Sequence, residues 1–357
     1  MNEETAMPEM SLSARMKALA VGAALTLACV FGIPGDAAAK TELLVYTAIE
    51  ADELPGFKAA FEKESPDIEI KWVRDSTGIV TSKLLAEKAN PQADIVWGLA
   101  ATSLMMLSDQ GYFQAYAPKG LDKLDASFRD KANPPMWVGQ RAWAAAICFN
   151  TVEAAKKNLP KPESWKDLTK AIYKGAITMP NPNSSGTGYL DVSSWLQLFG
   201  ESDGWKYMDQ LHENIAWYTH SGSKPCRQAA AGEVPIGIAF DYRAAKTKSD
   251  GAPIDVILPK EGLGWDMEAF AIVKTTKKLE AARKFADWSI TQSVMENLYT
   301  KGYALIAMPG ASKPVAGLPA DFSKLLIKND FAWAAKNREK ILDEWRKRYD
   351  AKSEPKS

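Results

Sequence analysis

The chain of 357 residues is poor in histidine and cysteine, and it carries no net charge. It contains 2 His and 3 Cys, and its 44 Lys and Arg are balanced by 44 Asp and Glu. Balanced charge provides no basic surface of the kind that nucleic acids or acidic membranes attract. With His212 and His220 alone, no spacing of histidines, cysteines or carboxylates is typical of a metal site.

Two catalytic motifs are also absent. The sequence has no Gly-x4-Gly-Lys-Ser/Thr phosphate loop, so nothing predicts that this chain hydrolyses a nucleotide itself. It has no Gly-x-Ser-x-Gly elbow, although Asp75, Ser76 and His220 are the residue types of a hydrolase triad. Because a triad is defined by geometry, spacing alone supports it poorly, and a hydrolase is kept only as an alternative from another class.

The N-terminal 39 residues are typical of a secretory signal peptide. Arg15 and Lys17 precede the mostly apolar segment 18–31, and three alanines end at Ala39, directly before Lys40. A basic region, an apolar core and small residues at the cleavage site are the parts of such a signal. The apolar segment is too short for a comfortable membrane span. We therefore expect cleavage after Ala39 and a periplasmic protein.

The mature chain then keeps two cysteines, Cys148 and Cys226. They either form a disulfide or remain two separate buried thiols. An oxidising compartment favours the disulfide.

The start of the mature chain predicts a parallel sheet covered by helices. Apolar or alternating segments at 42–47, 68–72 and 93–97 read as strands, and the segments between them have helical periodicity. Ligands of such sheets bind at the carboxyl ends of the strands. Polar and aromatic residues follow those ends, although Asp75, Ser76 and Thr77 would equally suit a turn and a helix cap.

A second polar segment lies between a predicted strand at 176–178 and a predicted helix at 189–199. It contains Ser184, Ser185, Gly186 and Thr187. Hydroxyls and free backbone N–H groups at a helix start make a cradle for an anion, and glycine allows a ligand to approach the backbone. The alternative is an ordinary loop with an N-cap residue.

The remaining pattern predicts a second α/β half with no flexible linker. Strands are expected at 143–150, 235–240 and 269–273, the last after a loop at 261–268. The chain would then cross between two lobes near Ala146 and Ala271. We expect lobe 1 to comprise residues 40–145 with 270–357, and lobe 2 to comprise residues 146–269. Two such lobes can close on a small molecule by hinge motion.

Several segments resemble the periplasmic solute-binding proteins of ABC importers, in the group that includes the ferric-iron binders. Besides the signal peptide, these segments are 44–48, 93–98, 148–151, 179–182 and 184–188. Three others are more similar to the binding proteins of 2-aminoethylphosphonate importers, namely 72–78, 218–226 and 262–269. The resemblance covers essentially the whole mature chain.

The resemblance implies a two-lobed type II periplasmic-binding-protein fold, in which each lobe is a mainly parallel sheet flanked by helices. A hinge would join the lobes, and the ligand would be trapped between them. It further implies a monomer without cofactor or catalytic role, which delivers its ligand to a membrane permease driven by a cytoplasmic ATPase. Relatives with similar scaffolds bind ferric iron, sugar phosphates or polyamines, so these remain alternative ligands.

A zwitterion such as 2-aminoethylphosphonate needs an anion site and an ammonium site. The candidates for the phosphonate are Ser76, Thr77, Ser184, Ser185, Gly186, Thr187 and Ser221. The candidates for the amine are Glu50, Asp241, Tyr242, Trp265 and Asp266, with Thr47, Asp75, Trp97 and His220 as further cleft candidates. Cap, turn and core roles are the competing interpretation of each. Iron binders of this group commonly present two adjacent tyrosines, and the matching position here is Asp241-Tyr242.

Overall fold

The computed structural model describes residues 39–355. The predicted signal segment, apart from Ala39, therefore lies outside the described residues. The strands are β1 (Thr41–Thr47), β2 (Ile68–Arg74), β3 (Ile95–Ala100), β4 (Phe113–Gln114), β5 (Val138–Asn150), β6 (Ile177–Pro180), β7 (Ile215–Thr219), β8 (Ile236–Phe240), β9 (Ile254–Ile257), β10 (Trp265–Val273) and β11 (Leu305–Ile306).

The α-helices are α1 (Leu54–Glu64), α2 (Thr77–Ala86), α3 (Ala101–Asp109), α4 (Thr151–Lys156), α5 (Gly186–Phe199), α6 (Glu201–Asn214), α7 (Lys224–Ala231), α8 (Asp241–Ser249), α9 (Leu279–Ser289), α10 (Gln292–Val294) and α11 (Phe331–Tyr349). A π-helical turn at Met295–Tyr299 continues α10. Short 3-10 turns lie at Leu121–Lys123, Ala126–Phe128, Lys166–Thr169, Ala171–Tyr173, Phe322–Leu325 and Asp350–Lys352.

The predicted β-α-β-α-β start of the mature chain is confirmed. Strand β1 pairs in parallel with β2 on one side and with β3 on the other, and α1 and α2 are the connections. Apolar residues recur at helical spacing on α1, where Leu54, Phe57 and Phe61 are buried. The carboxyl ends of the three strands therefore meet at one edge of the sheet.

Two sheets share one long strand, β5, whose 13 residues are all buried. Its first part, to Ala144, pairs with β10, and the order β2-β1-β3-β10-β5 forms what we call the first sheet. From Ala145 onward β5 pairs with β8, and the order β5-β8-β6-β7 forms the second sheet. In each sheet three parallel strands lie beyond an antiparallel neighbour. The lobe boundaries given above remain a prediction.

The prediction of a loop over residues 261–268 is wrong for its second half. Strand β10 begins at Trp265, which pairs with Ala144 of β5, and Asp266 pairs with Trp143. Hydrogen bonds with β5 hold these residues in an extended conformation, although polar and apolar residues do not alternate along the segment as they do in a typical strand. Likewise, α5 begins three residues before the predicted Tyr189, because Ser185 provides the N-cap and its Oγ accepts from the N–H of Gly188 at 3.3 Å.

Cys148 on β5 and Cys226 on α7 form a disulfide, with Cα atoms 5.3 Å apart. Both residues are fully buried in the second sheet's own small apolar cluster. The bridge ties α7 to β5 beside the point where the two sheets meet.

Within residues 39–355, no helix combines the length and the apolar character that crossing a membrane requires. The same residues contain no group of three or more His, Cys, Asp or Glu side chains arranged to hold a metal ion.

Candidate functional site

A small cavity lies where the carboxyl ends of the parallel strands of both sheets face each other. Its volume is about 50 Å³. The first sheet supplies residues at or after the ends of β1 and β2 together with Gly98 within β3, and the second sheet supplies residues that follow β6 and β7 together with Phe240 at the end of β8. The lining consists of Ala48, Glu50, Arg74, Ser76, Thr77, Gly98, Trp143, Ser185, Gly186, Thr187, Ser221, Gly222, Phe240, Glu268 and Tyr303.

Two helix starts converge on this cavity from opposite sheets. Helix α2 begins at Thr77 and α5 begins at Gly186. A Cβ placed on Gly186 would lie 2.6 Å from Thr77 Oγ1, so the two starts are in close contact. The first N–H groups of a helix have no partner within it, and both macrodipoles present their positive ends here. This end of the cavity is therefore suited to an anion.

Hydroxyl groups add donors at the same end. Ser76 is the N-cap residue of α2, yet its side chain makes no capping hydrogen bond. The hydroxyls of Thr77 and Thr187 likewise have no hydrogen-bond partner within residues 39–355. Ser221 Oγ lies 3.1 Å from Ser223 Oγ, and either atom can donate. Several hydroxyls are thus available to a ligand without breaking an existing bond.

Arg74, the last residue of β2, supplies a positive charge to the cavity wall. Its Nε donates to the carbonyl oxygen of Ile49 at 3.0 Å, which fixes the guanidinium plane. Among the described residues no carboxylate lies within ion-pair distance of Arg74. An anionic ligand would therefore meet an uncompensated cation.

Aromatic residues and the carboxylate of Glu268 also line the cavity. Trp143, Phe240 and Tyr303 line it together with Glu268. The indole N–H of Trp143 is buried and has no acceptor within residues 39–355. It remains available for an oxygen atom of a ligand or of water.

Glu268 belongs to a buried ionic network. Arg141 is fully buried, its Nε donates to Glu268, and its two terminal nitrogens donate to Glu53 at 2.8 and 3.0 Å. The Tyr303 hydroxyl donates to Glu268 at 3.3 Å, and the Arg141 guanidinium stacks 3.7 Å from the centroid of the Tyr303 ring. Burial raises the pKa of Glu268 to about 7 against the opposing attraction of Arg141.

Glu50 also lines the cavity, but two arginines occupy its carboxylate. Oε2 accepts from Arg227 at 3.0 Å and from Arg243 at 2.8 Å, and Arg243 also lies 3.3 Å from Asp52. Glu50 follows a strand of the first sheet, whereas α7 and α8 carry the arginines of the second. These ion pairs hold the two sides of the cavity together.

Most predicted phosphonate residues line the cavity, namely Ser76, Thr77, Ser185, Gly186, Thr187 and Ser221. Ser184 does not, because its hydroxyl donates to the carbonyl oxygen of His220 at 2.9 Å. His220 and Asp75 lie outside the cavity as well, and their Nε2 and Oδ1 atoms are 3.7 Å apart.

Of the predicted amine residues, Glu50 alone lines the cavity. Asp241 is fully buried and accepts from the N–H of Ala144 at 3.0 Å, and burial raises its pKa to about 7. Tyr242 stacks on Tyr303 with ring centroids 4.4 Å apart. Asp241 and Tyr242, which were expected to recognise the amine, therefore lie in the protein interior.

Four further candidates have internal partners. Trp265 donates to the carbonyl oxygen of Ile327 at 3.0 Å, and Asp266 accepts from the Thr102 hydroxyl at 2.6 Å. Burial raises the pKa of Asp266 to about 6. Trp97 is fully buried and donates to Ser289 Oγ at 2.8 Å. Thr47 Oγ1 accepts from the N–H of Ile49 at 3.1 Å.

The sequence interpretation missed Arg74, Trp143, Phe240, Glu268 and Tyr303. Arg74 had a usable signal, since it directly precedes Asp75-Ser76-Thr77 at the carboxyl end of a predicted strand. Glu268 lay in a segment read as a loop, and its position in the cavity wall depends on strand pairing between distant segments.

A larger recess of about 490 Å³ lies between α1, α8 and residues 298–316. Its size alone does not make it the better candidate, because all its charged groups except Lys301 already have ion-pair partners among the described residues. Lys246 pairs with Asp250, Asp52 with Arg243, and Glu53 with Arg141. The smaller cavity combines unpaired donors with an unpaired cation, which is the more specific arrangement for a ligand.

Comparison with known proteins gives consistent similarities. The family of bacterial extracellular solute-binding proteins matches residues 90–337. An uncharacterised protein of Haemophilus influenzae is 30% identical over 333 residues, which cover 92% of this chain and 96% of that protein. A probable ABC transporter periplasmic-binding protein of Sinorhizobium fredii is 28% identical and covers 75% of each chain.

A solved structure with the same architecture is that of the periplasmic binding protein AfuA from Actinobacillus pleuropneumoniae, with exogenous fructose-6-phosphate bound. The two chains are 29% identical, the TM-score is 0.81, and the match covers 87% of this chain and 99% of AfuA. The two-lobed α/β architecture of periplasmic binding proteins is therefore confirmed for this chain.

Proposed function

The chain belongs to the bacterial extracellular solute-binding protein family, and we propose that it captures 2-aminoethylphosphonate in the cavity between its two sheets. One observation carries this proposal. Arg74, without a carboxylate partner among the described residues, lines the cavity together with two helix starts and several free hydroxyls, and the carboxylate of Glu268 lines the same cavity. A ligand with an anionic head and a cationic tail complements both kinds of group.

The anionic head would be held by charge-assisted hydrogen bonds. Each such bond contributes roughly 1.5–3 kcal/mol, since the donor or the acceptor is ionised. Donors come from both sides, with Ser76 and Thr77 on one and Gly186 and Thr187 on the other. A phosphonate that bridges them would stabilise the closed arrangement of the two lobes.

The small cavity volume of about 50 Å³ favours a short ligand. A sugar phosphate is the second candidate, because AfuA, a structurally similar relative, contains fructose-6-phosphate. The same anion cradle would accept its phosphate. Both ligands need more room than the cavity of about 50 Å³ provides, and the sugar ring would have to widen it further than the ethyl tail of the phosphonate. Polyamines are disfavoured because Arg74 would repel them.

The other parts of the proposal follow from the family. The chain would act as a monomer in the periplasm, without a cofactor or catalysis, after removal of its signal peptide. It would deliver the ligand to the permease of an ABC importer whose ATPase is cytoplasmic.

Thermal unfolding of the mature protein with a ligand series tests the ligand. A ligand that binds only the folded state stabilises it by about 2.7 kcal/mol at one hundred times its Kd. We expect a clear rise of Tm with 2-aminoethylphosphonate, and calorimetry should give micromolar or tighter affinity. A rise with fructose-6-phosphate, ferric iron or putrescine, and none with the phosphonate, would reject the proposal.

A further inference from the structure

The carboxylates near the cavity differ in how fully their charge is compensated. Glu50 and Asp52 face Arg227 and Arg243, which gives two negative and two positive charges. A ligand ammonium would have to share the Glu50 carboxylate, whose Oε2 already accepts from both arginines. Glu50, one of the expected amine partners, is therefore poorly placed to take this role.

When Glu53 and Glu268 are both ionised, their network has one negative charge too many, and the raised pKa of Glu268, about 7, means that a proton offsets part of this charge near neutral pH. Arg141 is the network's single cation, and Glu53 and Glu268 are both within ion-pair distance of it. Arg141 is fully buried and Glu268 is 8% exposed, so water screens the imbalance only weakly. A ligand cation in the cavity would restore neutrality.

Glu268 is also held in a fixed position. Arg141 contacts one carboxylate oxygen, and the Tyr303 hydroxyl reaches the other at 3.3 Å. Glu53 binds Arg141 through both of its own oxygens, which prevents the guanidinium from turning. The carboxylate that faces the cavity is thus preorganised, and a ligand would not bear the cost of ordering it.

The walls around Glu268 suit an ammonium group. Trp143 and Phe240 line the same cavity, whereas Arg141 and Tyr242 already stack on the Tyr303 ring. Aromatic faces attract cations, and they exclude the water that would otherwise weaken the ion pair. The tail of the ligand would meet a carboxylate in a cavity with two aromatic walls available to it.

We propose that Glu268 is the residue that determines specificity for aminated phosphonates, by pairing its carboxylate with the ligand ammonium while the anion cradle holds the phosphonate. This inference rests on the proposed function and assigns the amine subsite within it. The expected role of Glu50 is replaced by that of an ion pair between the two sides of the cavity.

The test compares 2-aminoethylphosphonate with ethylphosphonate, which lacks the amine, by calorimetry on the mature protein. Wild-type protein should bind the aminated ligand at least about tenfold more tightly, as expected for one charge-assisted contact. Glu268→Gln should abolish most of this preference while leaving the affinity for ethylphosphonate within about twofold. The variant should fold, because it leaves Arg141 and Glu53 as a balanced pair.

Glu50→Gln is the matched comparison, since it removes the same charge from the same cavity. We expect it to weaken both ligands by the same factor. A wild-type protein that binds both phosphonates equally would overturn the Glu268 assignment even if no variant could be purified. So would equal losses for both ligands in Glu268→Gln, and in either case phosphonate capture itself would stand. Absence of binding to both phosphonates by the wild type would reject the proposed function and this inference with it.

Discussion

The backbone N–H of Gly78 donates to the carbonyl oxygen of Ser184 at 2.9 Å, which joins the helix starts on the two sides of the cavity. The contact requires glycine, because a Cβ at residue 78 would lie 2.1 Å from the carbonyl oxygen of Asn183. The close approach of the two sides of the cavity therefore depends on the absence of a side chain at Gly78.

Gly78→Ala should impair ligand binding without weakening the fold. Alanine is the better helix former by roughly 0.5–1 kcal/mol, so α2 itself should gain. The added methyl would nevertheless hold the two sides apart, and we expect the ligand affinity to fall at least about tenfold, or ~1.4 kcal/mol. Calorimetry and denaturant unfolding measure the two effects. Gly56→Ala on α1 is the matched control, since a Cβ there meets nothing within 4 Å.

Thr187→Ala should separate ligand binding from stability. The hydroxyl has no protein partner within residues 39–355, so its loss should change the unfolding free energy by no more than about 0.5 kcal/mol. Binding should weaken by about 1.5 kcal/mol if the hydroxyl donates to the phosphonate. Ser185→Ala should additionally destabilise the fold by ~1 kcal/mol, because it removes the N-cap of α5. Unchanged affinity in both variants would remove this hydroxyl cluster from the site.

Stability should fall as the pH rises from about 5 to about 7. Burial raises the pKa of Asp241 to about 7, of Glu268 to about 7 and of Asp266 to about 6, above the unfolded values of roughly 4. Between these limits the folded state binds more protons than the unfolded state, so raising the pH favours unfolding. Carboxylates with lowered pKa values, such as Asp167 at about 2, stay ionised throughout this range.

Thermal unfolding at a series of pH values measures this slope. Asp241→Asn should make the slope shallower, because the amide oxygen still accepts from the N–H of Ala144 but no proton is exchanged. A Tm that rises between pH 5 and pH 7 in the wild type would contradict the assignment of these buried groups.

Removing the disulfide should cost substantial stability. The bridge closes a loop with a sequence separation of 78 residues, and the chain-entropy model assigns about 4.5 kcal/mol to a loop of this size. The double replacement of Cys148 and Cys226 by alanine should lower the denaturation midpoint accordingly. Alkylation before and after reduction reports the bridge directly by mass. Two thiols that react without reductant would show that the bridge does not form.

Local pattern was enough to predict much of the fold. The β-α-β-α-β start and the cradle between β6 and α5 depend on short apolar periods, caps and turn residues within one segment. The strand character of Trp265 to Glu268 could not be found in this way. Polar and apolar residues do not alternate regularly in this segment, and its extended backbone is imposed by pairing with β5, more than a hundred residues away in the sequence.

The candidate site was predictable at one end only. Hydroxyls and glycine at a helix start are adjacent in sequence, so the cradle could be found. Whether a carboxylate can bind a ligand cation depends on its own ion-pair partners, and these partners are far away in the sequence. Glu50 pairs with Arg243 across 193 residues, and Glu268 pairs with Arg141 across 127. The spacing of residues in the sequence does not show which carboxylate already has its negative charge balanced by an arginine.

Strand β5 completes both sheets with a single run of buried backbone. If either half of the molecule were produced without β5, the strands that pair with β5 would expose a row of unpaired N–H and C=O groups. Such exposed strand edges promote aggregation. Cleavage of the chain within residues 138–150 would yield two aggregation-prone fragments instead of two smaller domains. The two sides of the cavity must accordingly fold, persist and be degraded together.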